Sequence, residues 1–194
     1  AIAQLSRGLE LVPELPEGAA REQQELLLQL ALGPALMSTK GFTAPEVETA
    51  FGRAAELCTR AGEGPQLWQA LSGLWTFYQF RADLQRAREL AEQLLEFARP
   101  SGDAWGLFMG HHAMGLTLYF QGELREAREH LQQACDLDGP LRQRLDTLPY
   151  EAVRYLMGDR GIRALAFYWL GCPDQAVRAS RESVALAQEL GRPF

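Results

Sequence analysis

Three histidines, three cysteines and a single lysine are the side chains of this 194-residue chain best suited to chemistry, and their spacing suits little of it. His111 and His112 are adjacent, and neighbours on a helix point about 100° apart, so the two cannot easily chelate one ion. They read as one packed and one partly exposed histidine, and His130 reads as a solvated helix residue. No His-Glu-x-x-His occurs. Cys58, Cys135 and Cys172 form no Cys-x-x-Cys pair, so a structural zinc site has no framework. Cys172 falls in a turn, with nothing beside it to lower its pKa. Lys40 is followed by Gly-Phe-Thr, which makes no phosphate cradle. Neither Gly-x-x-x-x-Gly-Lys-Ser/Thr nor Gly-x-Gly-x-x-Gly is present. Glu89/Glu92 and Glu126/Glu129 lie among arginines at spacings that make helix-surface ion pairs. The reading is of a chain with no catalytic, metal or cofactor residues, and not an enzyme.

The elements that carry these residues are helical. Apolar side chains recur at three- and four-residue spacing in Leu26, Leu27, Leu30 and Leu36, in Leu84, Ala87, Leu90, Ala91, Leu94 and Leu95, and in Leu124, Ala127, Leu131 and Ala134. Strand-like alternation is absent. Gly62-Glu63-Gly64-Pro65, Pro100-Ser101-Gly102, Gly139-Pro140 and Gly171-Cys172-Pro173 punctuate the pattern. Asp103, Asp159 and Asp174 stand where N-caps are expected. The spacing predicts helices over 2–12, 19–37, 45–61, 66–80, 84–98, 103–121, 124–136, 158–170 and 174–190.

Composition narrows the function classes. Hydrophobic residues make up 47% of the chain, which suits a packed domain rather than a disordered one. The net charge of −6 is a poor match for a phosphate backbone, and the arginines at 142, 144, 154, 160 and 163 are interspersed with acids, so no nucleic-acid partner is expected. No apolar run approaches the roughly 20 residues a membrane helix needs. The odd, scattered cysteines fit a reducing cytosol, giving a cytoplasmic expectation. The chain starts without Met and ends on Gly191-Arg192-Pro193-Phe194, which reads as the entry to another helix, hence as a piece of a longer protein.

Short turns between helices prompt a search for repeats. Tyr78-Gln79-Phe80-Arg81-Ala82-Asp83-Leu84-Gln85-Arg86-Ala87 aligns with Leu118-Tyr119-Phe120-Gln121-Gly122-Glu123-Leu124-Arg125-Glu126-Ala127 at an offset of 40, and that with Phe167-Tyr168-Trp169-Leu170-Gly171-Cys172-Pro173-Asp174-Gln175-Ala176 at 49. Met114-Gly115, Leu118, Ala127, Leu131 and Ala134 fall at the Leu-Gly, Tyr, Ala, aromatic and Ala positions of the tetratricopeptide (TPR) pattern, which the chain therefore resembles. Leu71, Leu74, Tyr78 and Ala87 fit in the unit before, with Trp75 where a small residue is usual. Ala164, Phe167 and Ala176 fit in the unit after, with Ser180 and Ser183 at apolar positions. The resemblance implies an all-α, right-handed solenoid of antiparallel helix pairs. It reads as one domain over 1–194, with units 19–61, 66–98, 103–136 and 158–190 and an insertion at about 138–157, where Pro140 and Pro149 break the periodicity.

A narrower resemblance lies in Leu28-Gln29-Leu30-Ala31-Leu32-Gly33, Gly41-Phe42-Thr43-Ala44-Pro45-Glu46-Val47 and Arg86-Ala87-Arg88-Glu89-Leu90-Ala91-Glu92-Gln93-Leu94-Leu95. These look like the TPR-like C-terminal helical region of bacterial AAA/STAND-type ATPases, often fused to a class III adenylate/guanylate cyclase domain. It departs at Leu156-Met157-Gly158-Asp159-Arg160-Gly161. What it implies is a non-catalytic interaction or sensor module, with the nucleotide chemistry elsewhere in the parent. The alternative is a receptor for a small effector, with a pocket inside the superhelix.

In the tetratricopeptide arrangement the first helix of each pair lines the groove. Groove positions here are Gln79 and Phe80, then His112, Leu116, Tyr119 and Phe120, then Leu165, Tyr168 and Trp169. Phe80, Phe120 and Trp169 share one repeat position. Aromatics in a groove suit capture of a protein, a peptide or another domain of the same chain, since they bury much area with few rotors. The competing reading packs them under the next helix pair.

Overall fold

The computed structural model describes residues 1–61, 64–137, 139, 141 and 152–189. Described residues form α1 (Ile2–Leu11), a 3-10 turn (Val12–Glu14), α2 (Ala19–Lys40), α3 (Pro45–Ala61), α4 (Pro65–Phe80), α5 (Leu84–Ala98), α6 (Ala104–Gln121), α7 (Leu124–Asp136), α8 (Ala152–Trp169) and α9 (Pro173–Glu189), with no strand among them. The fold is all-α. Most of the expected helices lie within a residue or two of their predicted bounds. α2 runs three residues past 37, until Gly41 ends it at φ 94°. The helix expected from 158 begins at Ala152. Most of the expected insertion, with Pro140, Pro149, Arg142 and Arg144, lies outside the described residues.

The chain divides into two compact units, Ala1–Leu90 and Ala91–Phe194. In the first, α2 packs on α1 and α3, and α3 on α4. Its core holds Leu30, Leu36, Val47, Phe51, Leu57 and Phe77. Phe51 explains two glycines: a Cβ at Gly33 would lie 2.4 Å from its ring, and one at Gly73 would lie 2.5 Å from it. The ring fills the space that two missing side chains leave between α2 and α4. Glu25 of α2 grips Arg53 of α3 through two hydrogen bonds of 2.6 and 3.0 Å. The Arg53 guanidinium holds the Glu25 carboxyl below its ordinary range.

In the second unit α6 pairs with α7, and α8 lies against both and pairs with α9. α6 is buried on nearly every side, through Phe108, Met109, Ala113, Met114, Gly115 and Leu118 among others. A Cβ at Gly115 would meet Leu131 at 2.7 Å, so α6 and α7 approach closely at the small-residue position. Asp103 caps α6, accepting from Gly106 N at 2.8 Å. Asp174 is no cap; it lies in the first turn of α9, where its charge favours the helix N-terminus.

The repeat seen in the sequence reappears as burial. Val47, Ala87, Ala127 and Ala176 are buried in successive second helices, as are Ala54, Leu94, Ala134 and Ser183. The steps are 40, 40 and 49 in both series. Ser183 thus occupies an apolar position and is buried there.

Candidate interaction surface

Three turns end the first helices α4, α6 and α8 in one way. Asp83 N donates to Tyr78 O at 3.0 Å, Glu123 N to Leu118 O at 3.0 Å, and Cys172 N to Phe167 O at 2.9 Å. Each closes a six-residue loop around a left-handed residue, Ala82 (φ 60°), Gly122 (φ 84°) or Gly171 (φ 76°). At each of these turns a large aromatic side chain in the last two residues of the first helix is left outside. Phe80 is 59% exposed, Phe120 58% and Trp169 64%.

In the first unit Phe80 stacks on Phe42 from the α2–α3 turn, with centroids 4.5 Å apart and planes at 15°. Gln79 beside it is buried. In the second unit Tyr119 meets Phe120 edge-on at 5.4 Å, and Tyr168 meets Trp169 edge-on at 5.4 Å. Tyr119 and Leu116 are half-buried; Tyr168 and Leu165 are exposed. Leu165 and Tyr168 also line an open groove of about 630 Å³ between α8 and α9, with Val177, Val184, Ser180 and Arg181 on its other wall.

His112 is placed differently. It is buried, and its Nδ1 lies 2.5 Å from Oδ1 of Asp159. Asp159 was expected to cap a helix; it stands in the middle of α8 and is 1% exposed. The earlier start of α8 puts it about two turns into the helix, facing α6. One turn on, Arg163 is buried too, donating to Gln132 of α7 and, at 2.5 Å, to Glu182 of α9. The basic stretch thus loses Arg163 to an interior network that ties α8 to its neighbours. Among the described residues, Oδ2 of Asp159 and Nε of Arg163 find no hydrogen-bond partner.

His130 is the other departure. It is half-buried, with Nδ1 3.1 Å from Nδ1 of His111. Pairing of α6 with α7 brings residues 19 apart in sequence face to face, which no local spacing reveals. Burial pushes His111 down to about 4, with His130 and Arg99 adding to the shift, and burial lowers His130 as well.

Among the described residues no group of three or more His, Cys, Asp and Glu is placed to hold a metal ion, and no helix is long and apolar enough to cross a membrane. No family model matches the chain, and no curated protein matches it in sequence. Solved structures do. A chain from Podosopora anserina, described as a kinesin light chain with nearly identical TPR-like repeats, is 18% identical, with a TM-score of 0.64 over 98% of this chain and 90% of that one. A substituted form of the same protein gives 0.65 at the same identity and coverage. The likeness is one of fold: this chain has a TPR-like helical repeat architecture.

Proposed function

We propose that this chain is a non-catalytic protein-interaction module that captures a peptide or helix through its exposed aromatic residues. The observation that carries the reading is the exposure of Phe80, Phe120 and Trp169 at one repeat position, with Tyr168 and Leu165 exposed beside them. Isolated surface apolar residues are ordinary, but Leu165, Tyr168 and Trp169 lie together at the end of α8, and a grouped set of large ones suits a contact surface. Tyr119 contributes a ring with a polar end, suited to a site wet on one side. Gln79 and His112 are buried and serve by holding the helices that present the aromatics.

The finer reading rests on sequence resemblance alone. The helix pairs 19–61, 66–98, 103–136 and 158–190 act as one domain, placed after the ATPase or cyclase domains of a bacterial cytoplasmic signalling protein, and transmit partner binding to them. The partner is a protein, or another domain of the same chain.

The test uses the intact parent protein as bait in its native lysate, beside a form carrying Tyr168→Ala and Trp169→Ala. Truncating a central aromatic anchor costs about 2 kcal/mol or more of binding. The expected result is loss of the captured partner with an unchanged melting temperature. Retention of the partner by the double variant would remove the aromatic surface from consideration.

A further inference from the structure

The strongest unassigned feature is the histidine pair of α6 and α7. Two Nδ1 atoms 3.1 Å apart lie at the bite of a chelate. An ion about 2.0–2.1 Å from each nitrogen would subtend roughly 100°, between the octahedral and tetrahedral angles. We propose that His111 and His130 form a two-histidine site for a borderline divalent cation of the zinc class, with water completing its coordination.

Three observations support the site. The rings come from two helices that approach closely at Gly115 and Leu131, so the fold holds the two backbones side by side at the pair. Both imidazoles are held neutral at pH 7, His111 at about 4, so the cation displaces no charge-bearing proton. The present contact requires one ring to donate its Nδ1–H and the other to accept. Binding moves that proton to Nε2 of the same ring, and the proton count of the pair is unchanged. Imidazole nitrogen is a preferred ligand for zinc, nickel and copper, and not for magnesium or calcium. No third histidine, cysteine or carboxylate completes a set among the described residues, so the site is open and exchangeable. Arg99 opposes it, since its charge bears on both rings. That repulsion limits affinity and favours a softly held ion over a structural one.

The experiment titrates zinc chloride into the full chain, following heat and the ¹⁵N shifts of the imidazole nitrogens. The expected result is 1:1 binding, with the Nδ1 signals of His111 and His130 moving together and His112 unmoved. His111→Asn and His130→Asn are each expected to weaken binding at least ~10-fold, or about 1.4 kcal/mol. The imidazole shifts of the unsubstituted chain decide the matter even if a variant folds poorly. Absence of Nδ1 shifts at millimolar zinc, or binding that survives both substitutions unchanged, would overturn the site and leave a plain imidazole–imidazole hydrogen bond. Neither result bears on partner capture by Tyr168 and Trp169, which is read separately.

Discussion

Ala82 holds a left-handed conformation that its two repeat equivalents give to glycine. An alanine there carries a Cβ clash of roughly 1 kcal/mol that Gly122 and Gly171 avoid. Ala82→Gly is therefore expected to stabilise the chain by about 0.5–1 kcal/mol, seen as a rise of roughly 1–4 °C in melting temperature. A fall would mean that the Ala82 methyl makes a contact worth more than the strain. The opposite holds at Gly73. A methyl there meets the Phe51 ring at 2.5 Å, and Gly33 blocks the ring from the other side. Gly73→Ala is expected to cost about 1–3 kcal/mol by overpacking, measured by denaturant unfolding. Gly52→Ala, where a Cβ would meet nothing within 4 Å, is the control that should cost nothing. The aligned Gly122 and Gly171 were visible in the sequence as turn signals. The slot around Phe51 was not, because it depends on three residues from three helices.

Helices explain what could and could not be read in advance. Their existence followed from three- and four-residue periodicity, and second helices such as α7 show it plainly, with buried Ala127, Leu131 and Ala134 on one face. The sequence predicts α8 from 158, six residues too late, because Asp159 looks like a cap. Its carboxylate instead belongs to a pairing with His112, 47 residues away, which local signals do not encode. His130 reads as solvated in the sequence for the same reason, and its contact with His111 half-buries it. That pair gives the α6–α7 contact a pH dependence. His111 titrates at about 4 in the folded chain against 6.5 when unperturbed, so the unfolded chain binds more protons between these values. Stability is complete above pH 6.5, declines as pH falls towards 4, and changes no further from this source below that. His130 shifts in the same direction. Both rings are partly solvated, so the effect is discounted to about 1 kcal/mol, or roughly 2–4 °C of melting temperature. Melting curves at pH 7 and pH 5 should differ by somewhat over half of that, roughly 1–2 °C, because pH 5 crosses only part of the window, and His111→Asn should flatten the difference. An unchanged difference in the variant would assign the acid sensitivity elsewhere.

At the scale of the molecule, the sequence repeat and the spatial division make different claims about cooperativity. The repeat runs through four helix pairs at steps of 40, 40 and 49, and reads as one domain. In space the chain divides between Leu90 and Ala91, inside α5 rather than in a linker. Stacked repeats are stabilised by their own packing and by contacts with neighbours, and unfold together when neighbour terms dominate. A helix whose hydrogen bonds run through the boundary disfavours melting of one half alone, since fraying it from the middle strands backbone groups on both sides. We therefore expect one calorimetric transition. Its enthalpy should be roughly 130 kcal/mol near 60 °C, the usual specific value for a chain of this length, and should equal the van't Hoff enthalpy. Two independently melting halves would give a van't Hoff enthalpy near half the calorimetric one, and a substitution confined to one half, such as Gly73→Ala, would then split the peak. Under the single-domain expectation the same substitution lowers one undivided peak. A split would confine any coupling between the Phe80 surface and the Tyr168–Trp169 surface to their separate halves.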